Sequence, residues 1–373
     1  MRPQRHLEAN AADQAMMQRA LDLAARGIGL VSPNPLVGCV ITDANGDVIG
    51  EGFYRKDEVT HAEVLALQQA GERARDGTAY VSLEPHDHQG QTSPCTDALI
   101  NAGIARVVCP IDDPNPLVSG RGFKKHRDAG VEVVTGVLAD EARRQNEKFI
   151  CWHEKQRPFV HLKLAMSLDG RISLGPSVST ALSGRDALRR VHELRHEHDA
   201  ILVGGNTAAI DDPSLTDRSG VDRRRPLVRV VLDNSLQIRE TSKLVTNAGE
   251  VPTLVFTNSR DEAKVGNLRA AGVEVIELEI GGRDLRAVLQ ELRNRELQSV
   301  LVEGGSEIAG AFVDAKLVDK VTFIYAPIII GGRTAPNAIG GSGAESLTTA
   351  MKLTDIAIRP VGEDIELTGY PTF

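Results

Sequence analysis

Two α/β domains in tandem are what this sequence predicts, and three observations carry the prediction. The chain has 373 residues, about two domains at roughly 100–200 residues each. Short apolar, strand-like runs alternate with helix-like stretches in two separate series. Between the series lies a charged, helix-prone stretch, 137–157, in which ADEARRQNEKF reads as a connector helix. The expected domains are 1–148 and 158–373, with the boundary between 146 and 157.

The first series opens with a helix, because Met16, Ala20, Leu23 and Ala24 share one face at helical spacing and Gly27 stands where a C-cap stops it. LVGCVIT (36–42) and VIGEGF (48–53) flank DANGD, whose Asn45-Gly46 is a hairpin signal. A helix is expected from His61 to about Ala74, then strand TAYVSL (78–83), a polar loop, and a helix from Cys95 to Asn101. Strand ARVVCP (105–110), a helix near 121–128 and strand VEVVTG (131–136) complete a sheet with helices packed on it.

The second series begins after Pro158. FVHLKLAMSL (159–168) reads as a strand and GRDALRRVHELRHEHD (184–199) as a helix. AILVGG (200–205), VRVVLD (228–233), PTLVFT (252–257), VEVIEL (273–278) and SVLVEGG (299–305) read as strands, with helices at about 260–271 and 282–296. Continuous apolar strands separated by helices indicate a sheet buried on both faces.

Composition narrows the function. Lys plus Arg number 43 against 51 Asp plus Glu, a net charge of −8, and aromatics are 3%. A nucleic-acid surface needs a basic excess or a stacking platform, so a role on nucleic acid is disfavoured. The one dense basic cluster, Arg223-Arg224-Arg225, reads as a solvated loop. Four scattered cysteines do not make a disulfide scaffold. MRPQRHLEANAADQ lacks the apolar core of a signal peptide, and the longest apolar run, Val321 to Ile330, is interrupted by Pro327. The expectation is a soluble, cytoplasmic protein acting on a small molecule, with no nucleic-acid or membrane partner, as a homo-oligomer.

Chemistry is concentrated first at His61-Ala62-Glu63, which opens a helix, and at Pro85 to Cys95, where Pro94-Cys95 opens the next. A His nitrogen and thiolates can hold zinc with one position open, while a Glu two residues from the His stays off the metal and shuttles protons. A helix N-terminus would lower the Cys95 thiol pKa. A lone H-x-E also begins many surface helices; the order of strand, HAE helix, strand, LEP loop and PC helix is far more specific.

H-A-E-V (61–64), L-E-P-H-D-H-Q-G-Q-T-S-P-C (83–95), P-N-P-L-V-G (33–38) and D-P-N-P-L-V-S-G-R-G (113–122) resemble the pyrimidine deaminase domain of the bifunctional riboflavin-biosynthesis deaminase/reductases. The resemblance implies a cytidine-deaminase-like α/β/α sandwich, Glu63 as proton shuttle, His61 and Cys95 on zinc, and Asn34 and His88 at the substrate. The family carries Cys where this chain has His86, and usually Arg and Pro where it has Gln91 and Ser93. His86 can replace the thiolate in a His–His–Cys site, with Asp87 orienting an imidazole. Two other readings stay open: His88 as the third ligand, and a metal-free N-terminal domain attached to a working reductase.

In the second half, no Gly-x-Gly-x-x-Gly follows an early strand, but Val302-Glu303-Gly304-Gly305-Ser306 ends a strand and opens a helix, a turn that exposes N–H groups to phosphate. L-K-L-A-M-S-L-D-G-R (162–171), A-I-L-V-G-G-N-T (200–207), D-D-P-S-L-T-D-R (211–218) and V-E-G-G (302–305) resemble the reductase domain of the same family. That resemblance implies a dihydrofolate-reductase-like α/β fold using NADPH. It implies cofactor contacts at Ala165, Ala181, Thr207, Asp211, Asn234 and the turn Gly305, Ser306, Glu307, Ile308, Ala309, Gly310, Ala311. It implies substrate contacts at Ser179, Arg195, Leu215, Arg218 and Glu303. The hydroxyl of Ser179 and the guanidinium forks of Arg195 and Arg218 suit a phosphate monoester. Lys163 and Asp169 read either as polar neighbours of the ribosyl chain or as strand-end structure, and Ala181 stands where relatives often place a large aromatic. The implied substrate is a phosphorylated pyrimidine, first hydrolytically deaminated and then reduced from ribosyl to ribityl.

Overall fold

The computed structural model describes residues 10–87, 94–116 and 118–372. Its contacts divide the chain into two compact units, Met1–Gln156 and Arg157–Phe373. No helix among the described residues is long and apolar enough to cross a membrane.

The first unit runs α1 (Ala11–Ala25), β1 (Gly38–Thr42), β2 (Val48–Phe53), α2 (Ala62–Ala70), β3 (Thr78–Val81), α3 (Cys95–Asn101), β4 (Arg106–Cys109), α4 (Arg121–Asp128), β5 (Glu132–Thr135), α5 (Ala139–Gln145) and α6 (Glu147–Glu154). The sheet order is β2-β1-β3-β4-β5. β1 pairs antiparallel with β2 and β3, and β3, β4 and β5 are parallel. Alternation along the strands splits the core in two. Cys39, Ile41, Ala79, Val81 and Val107 pack under α2 and α3. Val40, Tyr80, Val108 and Val134 pack on the other face under α1 and Phe149 of α6. Phe149 of α6 is buried in this unit, and the stretch read as one connector helix is two helices meeting at Asn146.

The second unit runs β6 (Phe159–Ser167), α7 (Arg185–His196), β7 (Ala200–Gly204), α8 (Gly205–Asp211), β8 (Val228–Leu232), α9 (Lys243–Thr246), β9 (Thr253–Thr257), α10 (Glu262–Ala270), β10 (Glu274–Glu277), α11 (Leu285–Asn294), β11 (Ser299–Val302), α12 (Ser306–Asp314), β12 (Lys320–Ala326), β13 (Lys352–Val361) and β14 (Asp364–Thr372). Nine strands form one sheet in the order β10-β9-β8-β7-β11-β6-β12-β14-β13. Strands β10 through β12 are mutually parallel, and the β13–β14 hairpin closes one edge antiparallel. Both faces of the parallel part are covered, by α11 and α12 on one side and α9 and α10 on the other.

Strands β12, β13 and β14 lie beyond the last expected strand, 299–305; β13 is almost wholly exposed, Ile356 and Ile358 included. One expectation is corrected. The arginine run is not a solvated loop. Arg223 pairs with Asp217 at 3.1 Å and donates to the carbonyls of Arg195 and His198, and Arg225 pairs with Asp199 at 3.1 Å. The run ties the end of α7 to its neighbours, and the partners lie too far along the chain for local charge pattern to reveal them.

Candidate active sites

In the first unit, the end of β3 and the starts of α2 and α3 converge. His61 caps α2 with extended backbone, and Glu63 is buried in the first turn. Gly52 on β2 makes this docking possible, since a Cβ there would lie 2.3 Å from the Ala62 carbonyl oxygen. Cys95 opens α3 directly after Pro94, and His86 sits on the loop after β3. One ligand atom each from His61, His86 and Cys95 all lie within 4.8 Å of one another. The edges of a tetrahedral zinc site with these donors are about 3.3–3.8 Å, so small side-chain adjustments close the set around the ion. The two imidazoles stack with centroids 4.6 Å apart. Glu63 Oε2 is buried with no hydrogen-bond partner among the described residues, which suits a group awaiting a ligand's proton. The donors and the one unpartnered carboxylate oxygen therefore fit zinc. The direction differs from the one expected: burial, reinforced by Glu63, pushes the Cys95 thiol up. A thiolate at this position depends on the metal's own charge.

Asn34 is brought into the same site. Its Nδ2 donates to the Tyr54 hydroxyl at 3.1 Å, and its Oδ1 accepts from Lys56 Nζ at 3.3 Å. The Tyr54 ring lies 5.3 Å from that of His61. Tyr54 and Lys56 were not singled out in the sequence; their place at the end of β2, just ahead of the HAE helix, was the available signal. His88, Gln91 and Ser93 lie outside the described residues.

The loop that carries His86 is fastened from below. The buried Glu84 carboxylate accepts from the backbone N–H groups of Asp113, Gly120 and Phe123 at 3.1, 2.9 and 3.2 Å. Gly122 permits the approach, since its Cβ would lie 2.0 Å from the Pro85 carbonyl oxygen. The D-P-N-P segment thus acts as a bracket for the LEP loop, and burial there pushes Asp113 up to about 6. Asp87 accepts from Thr96 at 3.3 Å and from Lys125 at 2.5 Å.

The second unit holds a cavity of about 1330 Å³ at the C-terminal ends of β6, β7, β8 and β11, larger than the roughly 300–1,000 Å³ of sites for a single small ligand. Ala165, Ser179, Ala181, Arg195, Thr207, Asp211, Leu215, Asn234, Glu303, Gly305, Ser306, Glu307, Ile308 and Ala311 all line it. Ala309 is fully buried in the core, and Gly310 is where the Gly340 backbone crosses α12, so the middle of that turn faces away from the cavity. Arg218 is exposed, is not among the lining residues, and donates to Thr216 at 3.1 Å. Arg195 does not present an open fork: Nε and Nη2 hold Glu303 at 2.8 and 3.0 Å. Lys163 Nζ lies 4.0 Å from the same carboxylate. Burial lowers the Lys163 pKa, partly offset by Glu303. Burial raises that of Glu303, but Arg195 and Lys163 outweigh it and hold the carboxyl low. Asp169 instead binds the Ile330 and Gly331 N–H groups at 3.0 and 2.7 Å and braces that loop. Gly305 at the start of α12 has open space where a Cβ would be, beyond Thr207 Oγ1 at 3.7 Å. An open backbone turn at a helix start within a large cavity fits a dinucleotide's phosphates.

Fold and site together define a two-part enzyme, a zinc-type hydrolytic deaminase followed by a dinucleotide-dependent reductase. Residues 158–367 match the family model of the RibD C-terminal domain, and residues 10–111 that of the cytidine and deoxycytidylate deaminase zinc-binding region. The riboflavin biosynthesis protein RibD of Actinobacillus pleuropneumoniae is 39% identical, covering 95% of this chain and 94% of its own; that of Synechocystis is 41% identical, covering 96% of each. Among solved structures, RibD of Acinetobacter baumannii superposes with a TM-score of 0.86 at 35% identity over 97% of this chain and 99% of its own. A Thermotoga maritima diaminohydroxyphosphoribosylaminopyrimidine deaminase/5-amino-6-(5-phosphoribosylamino)uracil reductase gives 0.83 at 34%, with the same coverage. The chain belongs to the RibD family of riboflavin biosynthesis: a bifunctional enzyme with a zinc-binding deaminase domain and an NADPH-dependent reductase domain.

Proposed function

We propose that the first unit deaminates 2,5-diamino-6-ribosylamino-4(3H)-pyrimidinone 5′-phosphate and that the second reduces the ribosyl group of the product to ribityl. The observation that carries the first half is the convergence of His61, His86 and Cys95 around an unpartnered, buried Glu63 oxygen. His61, His86 and Cys95 hold the zinc, which when bound supplies a Lewis acid able to acidify water toward neutrality. Glu63 takes a proton from the attacking water and returns protons to the ring nitrogen and the departing ammonia. Asn34, fixed by Tyr54 and Lys56, orients the pyrimidine.

In the second unit, Glu303 and Lys163 face the ribosyl chain, and Thr207, Asn234 and the start of α12 hold the cofactor. NADPH, when bound, supplies the hydride. Lys163, whose ammonium burial makes more acidic, is a local source for the accompanying proton. The finer reading of setting is a cytoplasmic enzyme acting as a homo-oligomer.

The test is a pair of assays on one preparation. Glu63→Gln should cut ammonia release by ~10²–10⁴-fold with zinc content and reduction of the deaminated substrate unchanged. Near-normal ammonia release would remove Glu63 from the mechanism.

A further inference from the structure

Three cationic side chains line the cavity of the second unit among the described residues: Lys163, Arg195 and Arg283. Two of them face Glu303, Arg195 through a bidentate pair and Lys163 at 4.0 Å. Arg283 makes no hydrogen bond or ion pair with any described residue, although Asp211, Asp233 and Glu307 line the same cavity. Its backbone is held in place. It ends a one-turn 3-10 helix, Gly281–Arg283, whose Gly282 N–H donates to Asn234 Oδ1 at 2.7 Å. Gly281 has φ +62°, and a Cβ there would lie 2.1 Å from Asn234 Oδ1. The turn is seated on the residue that follows β8 and presents an exposed guanidinium at the rim. Beside Asn234, Ser235 and Gln237 also line the cavity, and they are hydrogen-bonded to each other at 3.1 Å. A guanidinium with a hydroxyl and an amide nearby is the donor set of a phosphate monoester.

Two such groups could come to this cavity, the cofactor's 2′-phosphate and the substrate's 5′-phosphate. Position separates them. Glu303 follows β11 and Asn234 follows β8, two strand spacings apart, roughly 10 Å. Thr207, on α8 after the intervening β7, lies between, and the start of α12 reaches it, since a Cβ on Gly305 would lie 3.7 Å from Thr207 Oγ1. A dinucleotide whose nicotinamide end meets the substrate at Glu303 and whose phosphates lie at the start of α12 extends its adenosine toward Asn234. We infer that Arg283 binds the adenosine 2′-phosphate and is the residue by which this reductase prefers NADPH to NADH, as an arginine beside the adenosine ribose does in other dinucleotide sites. This rests on the cofactor reading above.

The experiment is calorimetric binding of 2′,5′-ADP and 5′-AMP, which differ only in the 2′-phosphate, to the full-length chain and its Arg283→Ala and Arg283→Lys variants. Wild type should bind 2′,5′-ADP about 10- to 150-fold more tightly. Arg283→Ala should lose most of that ratio with 5′-AMP affinity unchanged, and Arg283→Lys should recover part of it. Full preference in Arg283→Ala overturns the assignment alone. So does an unchanged preference accompanied by a raised KM for the phosphorylated substrate, which gives Arg283 to the 5′-phosphate. No preference in wild type overturns the assignment together with the NADPH reading. Arg283 is exposed, so an unaltered melting temperature serves as the folding control.

Discussion

Lys125 Nζ lies 2.5 Å from Asp87 Oδ1, joining α4 to the residue that follows His86. The same ammonium lies 2.7 Å from Asp97, two residues beyond Cys95. One lysine therefore ties together the two segments that carry the candidate ligands His86 and Cys95. Groups bonded directly to metal ligands commonly tune metal affinity by 10–100-fold, and Lys125 acts one residue further out. Lys125→Met should raise the rate of zinc loss to a chelator by up to about 10-fold and lower deamination in step. Lys125→Arg should restore both, and reduction should stay at its wild-type rate. If the zinc loss rate in Lys125→Met matches wild type, the lysine only decorates the surface.

His86 is the residue by which this site differs from the expected thiolate pattern. Zinc accepts imidazole and thiolate alike. His86→Cys should thus keep about one zinc per deaminase domain, and His86→Ala should lose the metal and ammonia release together. Elemental analysis of purified protein reads this directly. Full zinc in His86→Ala would transfer the third ligand to His88 or another group.

Much of this site was legible because two of its three candidate ligands sit at element starts, where motif and capping position coincide: His61 before α2 and Cys95 at the start of α3. The residues that hold them there were not. Lys125 is one of two adjacent lysines on a basic helix, and nothing local says that it turns toward Asp87, 38 positions back in the chain. The Cys95 thiol was misjudged because a helix N-terminus can be read from sequence while burial beside Glu63 cannot. In the reductase unit most of the residues that the resemblance implies line the cavity, but the partner of Arg195, Glu303, is 108 positions away.

Acid should weaken the deaminase unit through Asp13. Its carboxylate makes a two-point pair with Arg106, at 2.6 and 2.9 Å, and accepts from Tyr80 at 3.1 Å, linking α1 to β3 and β4. The Arg106 pair, more than offsetting burial, holds the Asp13 pKa below its usual value. A depressed pKa stabilises the fold above the unfolded value of about 3.9 and loses that contribution as pH falls through the folded value. Asp13→Asn should melt lower than wild type at pH 7, and the gap should close below about pH 4. A gap in melting temperature that is constant with pH would mean the pair contributes no charge-dependent stability.

Arg195 supplies the last prediction, and the structure changes its direction. As an open guanidinium fork it would be a phosphate anchor, and its loss would raise KM for the phosphorylated substrate alone. Its Nε and Nη2 are instead engaged with Glu303, and Nη1 donates to the Thr216 carbonyl at 3.2 Å. Removing it leaves a buried carboxylate whose nearest cation is Lys163 at 4.0 Å, with His192 as a weaker neighbour. Burial then dominates and the Glu303 pKa rises, so the carboxylate is present only at higher pH. Arg195→Ala should therefore lower kcat for reduction by roughly 10-fold or more and shift the acid limb of the reductase pH profile upward. The loss should be equal for the phosphorylated substrate and its dephosphorylated form. Arg195→Lys, which keeps the charge but not the fork, should restore the pH limb more fully than the rate. A defect confined to the phosphorylated substrate, with the pH profile unmoved, would return Arg195 to the phosphate.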